Sequence, residues 1–281
     1  MVGTGTLYVV ATPIGNLEDI TLRALRLLRE VQWIVAEDTR VTRKLLHHYD
    51  IHTPLLSLHE HSPPARIEQI VQRLQAGEQV ALVTDAGTPT LSDPGSALIR
   101  RAREEGVTVV CVPGASAVTA AVSLAALPDG RFVFDGFPPR RAKERRVYLQ
   151  TLAGERRAVV WFEAPHRLLD LLKDVQEVLG DRELFVAREL TKQFEEARLA
   201  RVSEWRAHFQ QFPPRGEFTL ILLPQAEQPP PPPQDPLALV EQLLAQGRSE
   251  KEALREAARA CGIPRREVYA RWVERKRSST N

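Results

Sequence analysis

Short apolar runs alternate with segments of helical period through the first 130 residues of the chain. The runs occupy residues 7–11, 33–36, 80–83 and 108–112, and polar or turn-forming residues follow each of them. Between the runs, apolar residues recur every three or four positions, which is typical of one face of an amphipathic helix. Because strands that alternate with helices form mostly parallel sheets, the pattern predicts an α/β domain over residues 1–130.

The loop after the third run is the most informative stretch of this domain, and its sequence is TDAGTPTLSDPG, residues 84–95. It contains a carboxylate at Asp85 and a glycine at Gly87, which allows backbone to approach a ligand closely. We expect a helix to begin near its end, with Asp93 as the N-cap and Pro94 in the first helical position. Ligands of open α/β sheets bind beyond the carboxyl ends of strands, where this loop lies. An ordinary strand-to-helix connection is the alternative.

A second α/β unit is predicted over residues 131–226. Strand-like runs at 159–162, 184–187 and 218–223 have loops with charged residues beside them, and amphipathic helical segments separate them. Two such domains placed face to face leave a cleft that is lined by loops from both.

A proline-rich linker is predicted at residues 227–236, which include five consecutive prolines. Such a segment is extended and stiff. Residues 237–281 form a C-terminal extension with three segments of helical period and a basic end. This outline resembles a helix–turn–helix, so contact with nucleic acid and a plain helical cap both stay open.

The net charge is only +2, so a nucleic-acid partner requires a local basic patch. Residues 140–146 supply the densest one, with five bases and one acid, although a solvated helix face has the same composition. The two cysteines, Cys111 and Cys261, have no His or Cys neighbours at metal spacing. We therefore expect no metal site and a reducing, cytoplasmic location. No apolar run approaches the ~18 residues of a membrane span, so no membrane partner is expected.

Several segments occur together and in order, namely LYVVATPIGNLEDITLRAL, AEDTR, SLHEH, VTDAGTPTLSDPG, PGASAV and EAPHRL. This combination resembles the tetrapyrrole methylase superfamily, and within it the bacterial enzymes that methylate a cytidine 2′-hydroxyl in 16S rRNA. The resemblance implies a tetrapyrrole methylase-like fold of two α/β domains, with S-adenosylmethionine in the cleft between them and usually a homodimer. It implies as substrate 16S rRNA or the small ribosomal subunit, at the decoding region.

The resemblance also assigns residues to the cofactor. They are Pro13, Ile14 and Gly15 after the first strand; Asp85, Ala86, Gly87 and Thr88; Ser116 and Ala117; and, from the second domain, Phe162, Ala187 and Gly216 with its neighbour Glu217. Thr90 departs from the family pattern, which usually has an aliphatic residue there.

Methyl transfer to a ribose hydroxyl requires alignment of donor and acceptor and gains from a base that takes the proton. Strand-end candidates for the base are Glu37, Asp38 and Glu163, and Lys192 if burial lowers its pKa; His59 and His61 are further options. Distributed cations suit an RNA backbone, and the candidates are Arg40, Arg43, Lys44, Arg140, Arg141 and Arg167, with Lys192 as a further one. Each of these residues has a structural salt bridge or a helix cap as its alternative role.

Two other functions remain open. A small-molecule methylase that acts on a tetrapyrrole has the same fold. The basic run at 140–146 and the helical extension disfavour it, because a planar polycarboxylate needs no RNA clamp. The other alternative is a non-enzymatic RNA-binding protein that retains a relic cofactor pocket.

Overall fold

The computed structural model describes residues 4–224 and 235–278. The chain divides after Pro224 into two compact units. Residues 225–234 lie outside the described residues, and they include 227–234, most of the predicted proline-rich linker.

The first sheet has five strands in the order β3-β2-β4-β1-β5, and every neighbouring pair is parallel, as predicted. The strands are β1 (Thr6–Val10), β2 (Trp33–Ala36), β3 (Leu55–Ser57), β4 (Val80–Leu82) and β5 (Thr108–Val112). The helices that connect them are α1 (Leu22–Glu30), α2 (Thr39–His48), α3 (Pro64–Gln75) and α4 (Ser96–Glu104), and a short 3₁₀ helix (Leu17–Asp19) precedes α1.

Helices cover this sheet on both faces. The core on one face joins α1 and α2 to side chains such as Val10 and Ile34. The core on the other face joins α3 and α4 to Leu7 and Val35. Strands that are buried on both sides need apolar residues at successive positions, which explains the short uninterrupted runs in the sequence.

The start of α4 differs from the sequence prediction. Asp93 is not the N-cap, because α4 begins at Ser96 and Gly95 precedes it with φ of 120°. A Cβ atom at Gly95 would lie 2.8 Å from a methyl group of Leu82, so the close approach to β4 requires glycine here. Asp93 therefore lies in the loop before the helix, and its carboxylate is available for other contacts.

The second sheet has the order β6-β7-β10-β8-β9, and only β6 and β7 are parallel. Its strands are β6 (Phe132–Phe134), β7 (Ala158–Glu163), β8 (Glu183–Arg188), β9 (Glu196–Arg201) and β10 (Phe218–Leu222), and its helices are α6 (Ala142–Thr151), α7 (Pro165–Leu179) and α8 (Val202–Gln211). The sequence pattern predicts neither β9 nor α8. The edge strand β9 is mostly exposed, and its sequence EARLAR contains no apolar run. The hydrophobic pattern therefore does not indicate a strand there.

Helix α5 (Ala117–Ala125) precedes the predicted boundary at residue 130 but packs on the second sheet. Its buried residues Val118 and Ala121 share a core with Val160 and Ile221. Small side chains allow this helix to lie close to the strands. The two sheets consequently belong to one compact unit.

The second unit contains α9 (Pro236–Ala245), α10 (Glu250–Cys261) and α11 (Arg265–Ser278), in agreement with the three predicted segments. Val240, Leu254, Val268 and Trp272 form part of its own core. Ser249 caps α10 in a reciprocal pair with Glu252. Within the described ranges, no helix combines the length and apolar character that crossing a bilayer requires.

The basic run at 140–146 divides into two kinds of arginine. The Arg145 side chain is only 5% exposed, and its Nη2 lies 2.6 Å from the equally buried Oδ2 of Asp174 on α7. Arg146 lies 2.7 Å from the other carboxylate oxygen of Asp174. Arg140 and Arg141 are exposed. The run is therefore partly a structural ion pair and only partly a free basic surface.

Replacing Arg145 with alanine leaves the buried carboxylate of Asp174 with only its half-exposed partner. We expect Arg145→Ala to lower the free energy of unfolding by about 3–5 kcal/mol, because it breaks a buried ion pair. Arg141→Ala is the matched control, since Arg141 contacts only Glu144 at the surface, and its effect should stay within about 0.5 kcal/mol. Urea unfolding measures both. Equal effects of the two substitutions would contradict the structural role of Arg145.

Candidate functional site

The loops that follow β1 and β4 are joined by backbone hydrogen bonds. Thr12 donates to the carbonyl of Gly87 at 2.8 Å, and Gly87 donates back to Thr12 at 3.1 Å. The buried Thr12 hydroxyl also donates to the Thr84 carbonyl at 3.0 Å. Gly87 has φ of 81°, a conformation that favours glycine. The pairing fixes two loops of the first sheet at its carboxyl edge, where ligands of such sheets bind.

A cavity of about 330 Å³ opens between these loops and the second sheet, a size typical of small-molecule sites. Ten residues that the resemblance assigns to the cofactor line it: Ile14, Ala86, Gly87, Thr88, Ser116, Ala117, Phe162, Ala187, Gly216 and Glu217. Glu163 lines it as well. Residues from distant parts of the sequence thus converge on one cavity.

The other lining residues are not among those that the sequence predicts for the site. They are Leu91, Ser92, Asp93, Phe137, Ala164, Pro165, Leu190, Phe218 and Thr219. Most lie within a few residues of an assigned position, so extending each motif along its loop would have found them. Phe137 is the exception, because it belongs to the loop after β6, which the resemblance does not assign.

Three residues assigned to the cofactor do not line the cavity. Pro13 immediately precedes the lining residue Ile14 in the chain. Gly15 packs against the β8–β9 loop, where an added Cβ atom would lie 2.5 Å from Cγ of Lys192. Asp85 turns away and accepts a hydrogen bond from the backbone N–H of Asp38 at 3.0 Å. Gly15 and Asp85 therefore connect elements of the fold.

Asp93 is the carboxylate at the wall of the cavity that belongs to the first sheet. Burial raises the pKa of Asp93 to about 6, and the nearby charges of Glu37 and Asp85 add to the effect. Glu37 does not line the cavity; its Oε2 accepts from the Thr84 hydroxyl at 3.2 Å. Burial, and then the charge of Asp85, also raises the pKa of Glu37. Negative charge is thus held here without a compensating cation among these side chains.

Glu163 is the buried carboxylate on the opposite wall. Its Oε1 accepts from the backbone N–H of Ala164 at 2.8 Å and lies 3.2 Å from Nε of Arg167. Its Oε2 is buried and has no hydrogen-bond partner among the described residues. Burial raises the pKa of Glu163. The Arg167 side chain is only 14% exposed and donates to the Pro138 carbonyl, so it is not a free cation for RNA.

Two other candidates for the base have structural roles instead. Asp38 is the N-cap of α2 and binds Arg40; the hydrogen bond from the Arg40 side chain is the main reason why the pKa of Asp38 falls to about 2. Such a carboxylate is a weak base. Partial burial by itself lowers the pKa of Lys192. Hydrogen bonds to Glu189 and Glu217 have the larger combined effect, so the pKa of Lys192 is raised. The condition under which Lys192 could act as the base, a pKa lowered by burial, is therefore not met.

The remaining predicted RNA contacts lie on the surface. Arg43 and Lys44 are exposed on α2, and Arg140 and Arg141 are exposed before α6. Arg40 is exposed but bound to Asp38. His59 and His61 are exposed before α3. Among the residues that the structure describes, no group of three or more His, Cys, Asp and Glu side chains is arranged to hold a metal ion.

The class of protein that has this fold, with a cavity between two sheets, is identified by comparison with known proteins. The family model of the tetrapyrrole (corrin/porphyrin) methylases matches residues 6–205. The chain belongs to this family, which confirms the resemblance and the fold class. Solved structures with the same fold include a cobalt precorrin-4 methyltransferase, with a TM-score of 0.57 and 19% identity over 78% of this chain and 94% of the other. A diphthine synthase has a TM-score of 0.61 and 16% identity over 78% and 90% of the two chains.

Curated relatives identify the branch of the family more narrowly. A protein from Thermotoga maritima is 50% identical over 78% of this chain and 98% of its own length. A protein from Synechocystis is 43% identical over 96% and 98% of the two chains. Both are named ribosomal RNA small subunit methyltransferase I.

Asp93→Asn tests the uncompensated charge through folding stability. The folded pKa of Asp93 lies above its unfolded value of about 3.8, so its stability contribution falls as pH rises to about 6. We expect Asp93→Asn to be more stable than the wild type by about 1–2 kcal/mol at pH 7.5, and the difference to vanish near pH 4. Urea unfolding across this pH range measures it. Asp170→Asn, at an exposed position on α7, is the control; identical pH profiles for both variants would contradict the assignment.

Proposed function

We propose that the protein is an S-adenosylmethionine-dependent methyltransferase that modifies a cytidine 2′-hydroxyl of 16S rRNA in the decoding region of the small subunit. The observation that carries the proposal is the cavity between the two sheets, in a member of a methylase family, with an acidic side chain on each wall. The names of the relatives support small-subunit rRNA as the substrate. The proposal that the methylated atom is the 2′ oxygen of a cytidine rests on the motif resemblance.

The lining residues fit this cofactor. S-adenosylmethionine carries a positive sulfonium between an adenosine with a flat adenine ring and a methionine part that bears an ammonium and a carboxylate. Asp93 and Glu163 supply negative charge, and Phe162, Ala187 and Leu190 supply apolar wall. The bound cofactor provides an activated methyl group. We assign the main charge contact to Asp93, because a cation there relieves the unfavourable burial that raises its pKa.

The chain must also hold the RNA and accept the hydroxyl proton. Exposed cations on α2 and before α6 suit phosphate binding. Of the candidate bases, only Glu163 lines the cavity, and its Oε2 is without a hydrogen-bond partner in the described part of the chain. We therefore assign proton acceptance to Glu163, and its raised pKa brings it closer to neutrality, where a general base is most effective. A homodimer and a location in the bacterial cytoplasm are parts of the same proposal.

Transfer of tritium from labelled S-adenosylmethionine tests the function directly. Small-subunit particles, naked 16S rRNA and a porphyrinogen are offered side by side. We expect label in one or both RNA substrates, on a ribose oxygen, and none in the porphyrinogen. Calorimetry should show that the wild type binds the cofactor and that Asp93→Asn binds it at least about tenfold more weakly, because a buried charge contact is lost. Label in the porphyrinogen indicates a small-molecule methylase, and absence of any binding heat indicates a relic pocket.

Glu163→Gln tests the base. The amide keeps the shape but cannot take the proton, so kcat should fall by about 100-fold or more while cofactor affinity changes little. Glu37→Gln is the control, since burial also raises the pKa of Glu37 but this residue does not line the cavity. Thermal unfolding of both variants checks that they fold. Wild-type turnover in Glu163→Gln excludes this carboxylate as the base.

A further inference from the structure

Phe137 is an exposed aromatic residue at the mouth of the cavity. Its side chain lines the cavity while the residue remains 50% exposed. Its ring centroid lies 5.7 Å from that of Phe162 on the cavity wall, and Phe162 in turn contacts Phe134 at 5.0 Å. The inner two rings are partly buried in the core, so Phe137 is the outermost ring of this row.

Hydrogen bonds hold the loop of Phe137 in place on both sides. The N–H of Phe162 donates to the Gly136 carbonyl at 2.8 Å, and Arg167 donates to the Pro138 carbonyl at 2.5 Å. Arg167 is itself oriented by the buried Glu163. Just before the loop turns, Asp135 accepts from the Tyr148 hydroxyl at 2.7 Å. The exposed ring is therefore presented by a fixed loop and not by a mobile one.

The loop from the other side of the cavity comes close at this point. A Cβ atom at Gly136 would lie 3.0 Å from the hydroxyl oxygen of Ser92. Ser92 adjoins Asp93, and both line the cavity. A nucleotide whose ribose enters the cavity near Asp93 and Glu163 must consequently place its base against the rim that Phe137 forms.

Positive charge continues outward from the ring. Arg140, Arg141 and Lys143 are exposed within six residues of Phe137, and Glu144 is the acid among them. An exposed aromatic ring beside distributed cations is the arrangement by which proteins bind unpaired bases and the attached phosphates. The ring and the cations lie in the segment that follows β6 and in the first turn of α6. The neighbouring strand β7 supplies Glu163.

We propose that Phe137 stacks on the base of the nucleotide whose ribose is methylated and holds that base out of the RNA stack. The inference rests on the proposed function and adds a substrate-positioning residue to it. The ring binds any base by its π-face, so it orients the nucleotide and does not choose the sequence. The cations that follow hold the neighbouring phosphates.

Methylation kinetics with small-subunit particles test the proposal. Phe137→Ala should lower kcat/KM by about 10- to 100-fold, and Phe137→Trp should keep it within about threefold of the wild type, because stacking is retained. Phe137→Leu preserves apolar contact without a π-face and should resemble the alanine variant. Phe194→Ala is the matched control: Phe194 is 70% exposed, lies in the loop between β8 and β9 and does not line the cavity. It should behave as the wild type.

Two measurements without turnover separate the possible outcomes. Calorimetry should give S-adenosylmethionine affinities within about twofold for the wild type and Phe137→Ala; a loss above tenfold would place the ring on the cofactor and overturn the proposal. A short RNA of the mapped target, with a fluorescent cytosine analogue at the methylated position, should be quenched by the wild type and not by Phe137→Ala. Equal quenching or equal kcat/KM in both overturns it. If the wild type itself transfers no label to RNA, the proposed function fails instead.

Discussion

The backbone pairing between Thr12 and Gly87 is the contact on which the site depends. It joins the loops after two adjacent parallel strands, so main-chain hydrogen bonds fix the first wall of the cavity, and the Thr12 hydroxyl adds a hydrogen bond to the Thr84 carbonyl. Gly87 can take part because its φ is positive, and an added Cβ atom would approach Ile14 at 3.3 Å. Ile14 lines the cavity beside it. Backbone positions fixed in this way leave the side chains of both loops free to contact a ligand.

Buried carboxylates are fully paired with arginines in the core but incompletely paired at the cavity. Asp174 is as deeply buried as Glu163, but two arginines lie within 3 Å of its carboxylate. Glu163 pairs directly with one arginine, and its Oε2 has no hydrogen-bond partner among the described residues. The side chains that most affect the pKa of Asp93 are the hydroxyl of Thr84 and the carboxylates of Glu37 and Asp85. An incompletely paired buried carboxylate destabilises the folded protein, and a cationic ligand removes that cost. The difference between these carboxylates is the physical reason for assigning the cavity to a positively charged cofactor.

The sequence pattern predicts the parts of the structure that depend on local chemistry. The parallel strands of the first sheet and the three helices of the C-terminal unit agree with it. Asp93 shows the limit, because Asp-Pro is a good helix start and nothing local reveals that Gly95 takes that place through its contact with Leu82.

Burial of charge is equally invisible in the sequence. Arg145 looks like its exposed neighbours, and only the fold brings Asp174 to it. Arg167 lies four residues from Glu163, but the sequence does not show that this pair is buried. Gly15 belongs to a motif associated with the cofactor, yet the space it leaves is filled by Lys192 from the second sheet. A motif shows that a small residue is needed at a position. It does not show which partner approaches.

The contacts between the two sheets explain why the cavity is a property of the whole unit. Helix α5 lies against the second sheet through Val118 and Ala121, and the backbone N–H of Asn16 donates to the Thr191 hydroxyl at 3.1 Å. These contacts set the distance between the wall that carries Asp93 and the wall that carries Glu163. A substitution that changes their spacing moves the two carboxylates relative to each other. For this reason the small residues of α5 matter to the geometry of the cavity, although Ala117 is the only residue of this helix that lines it.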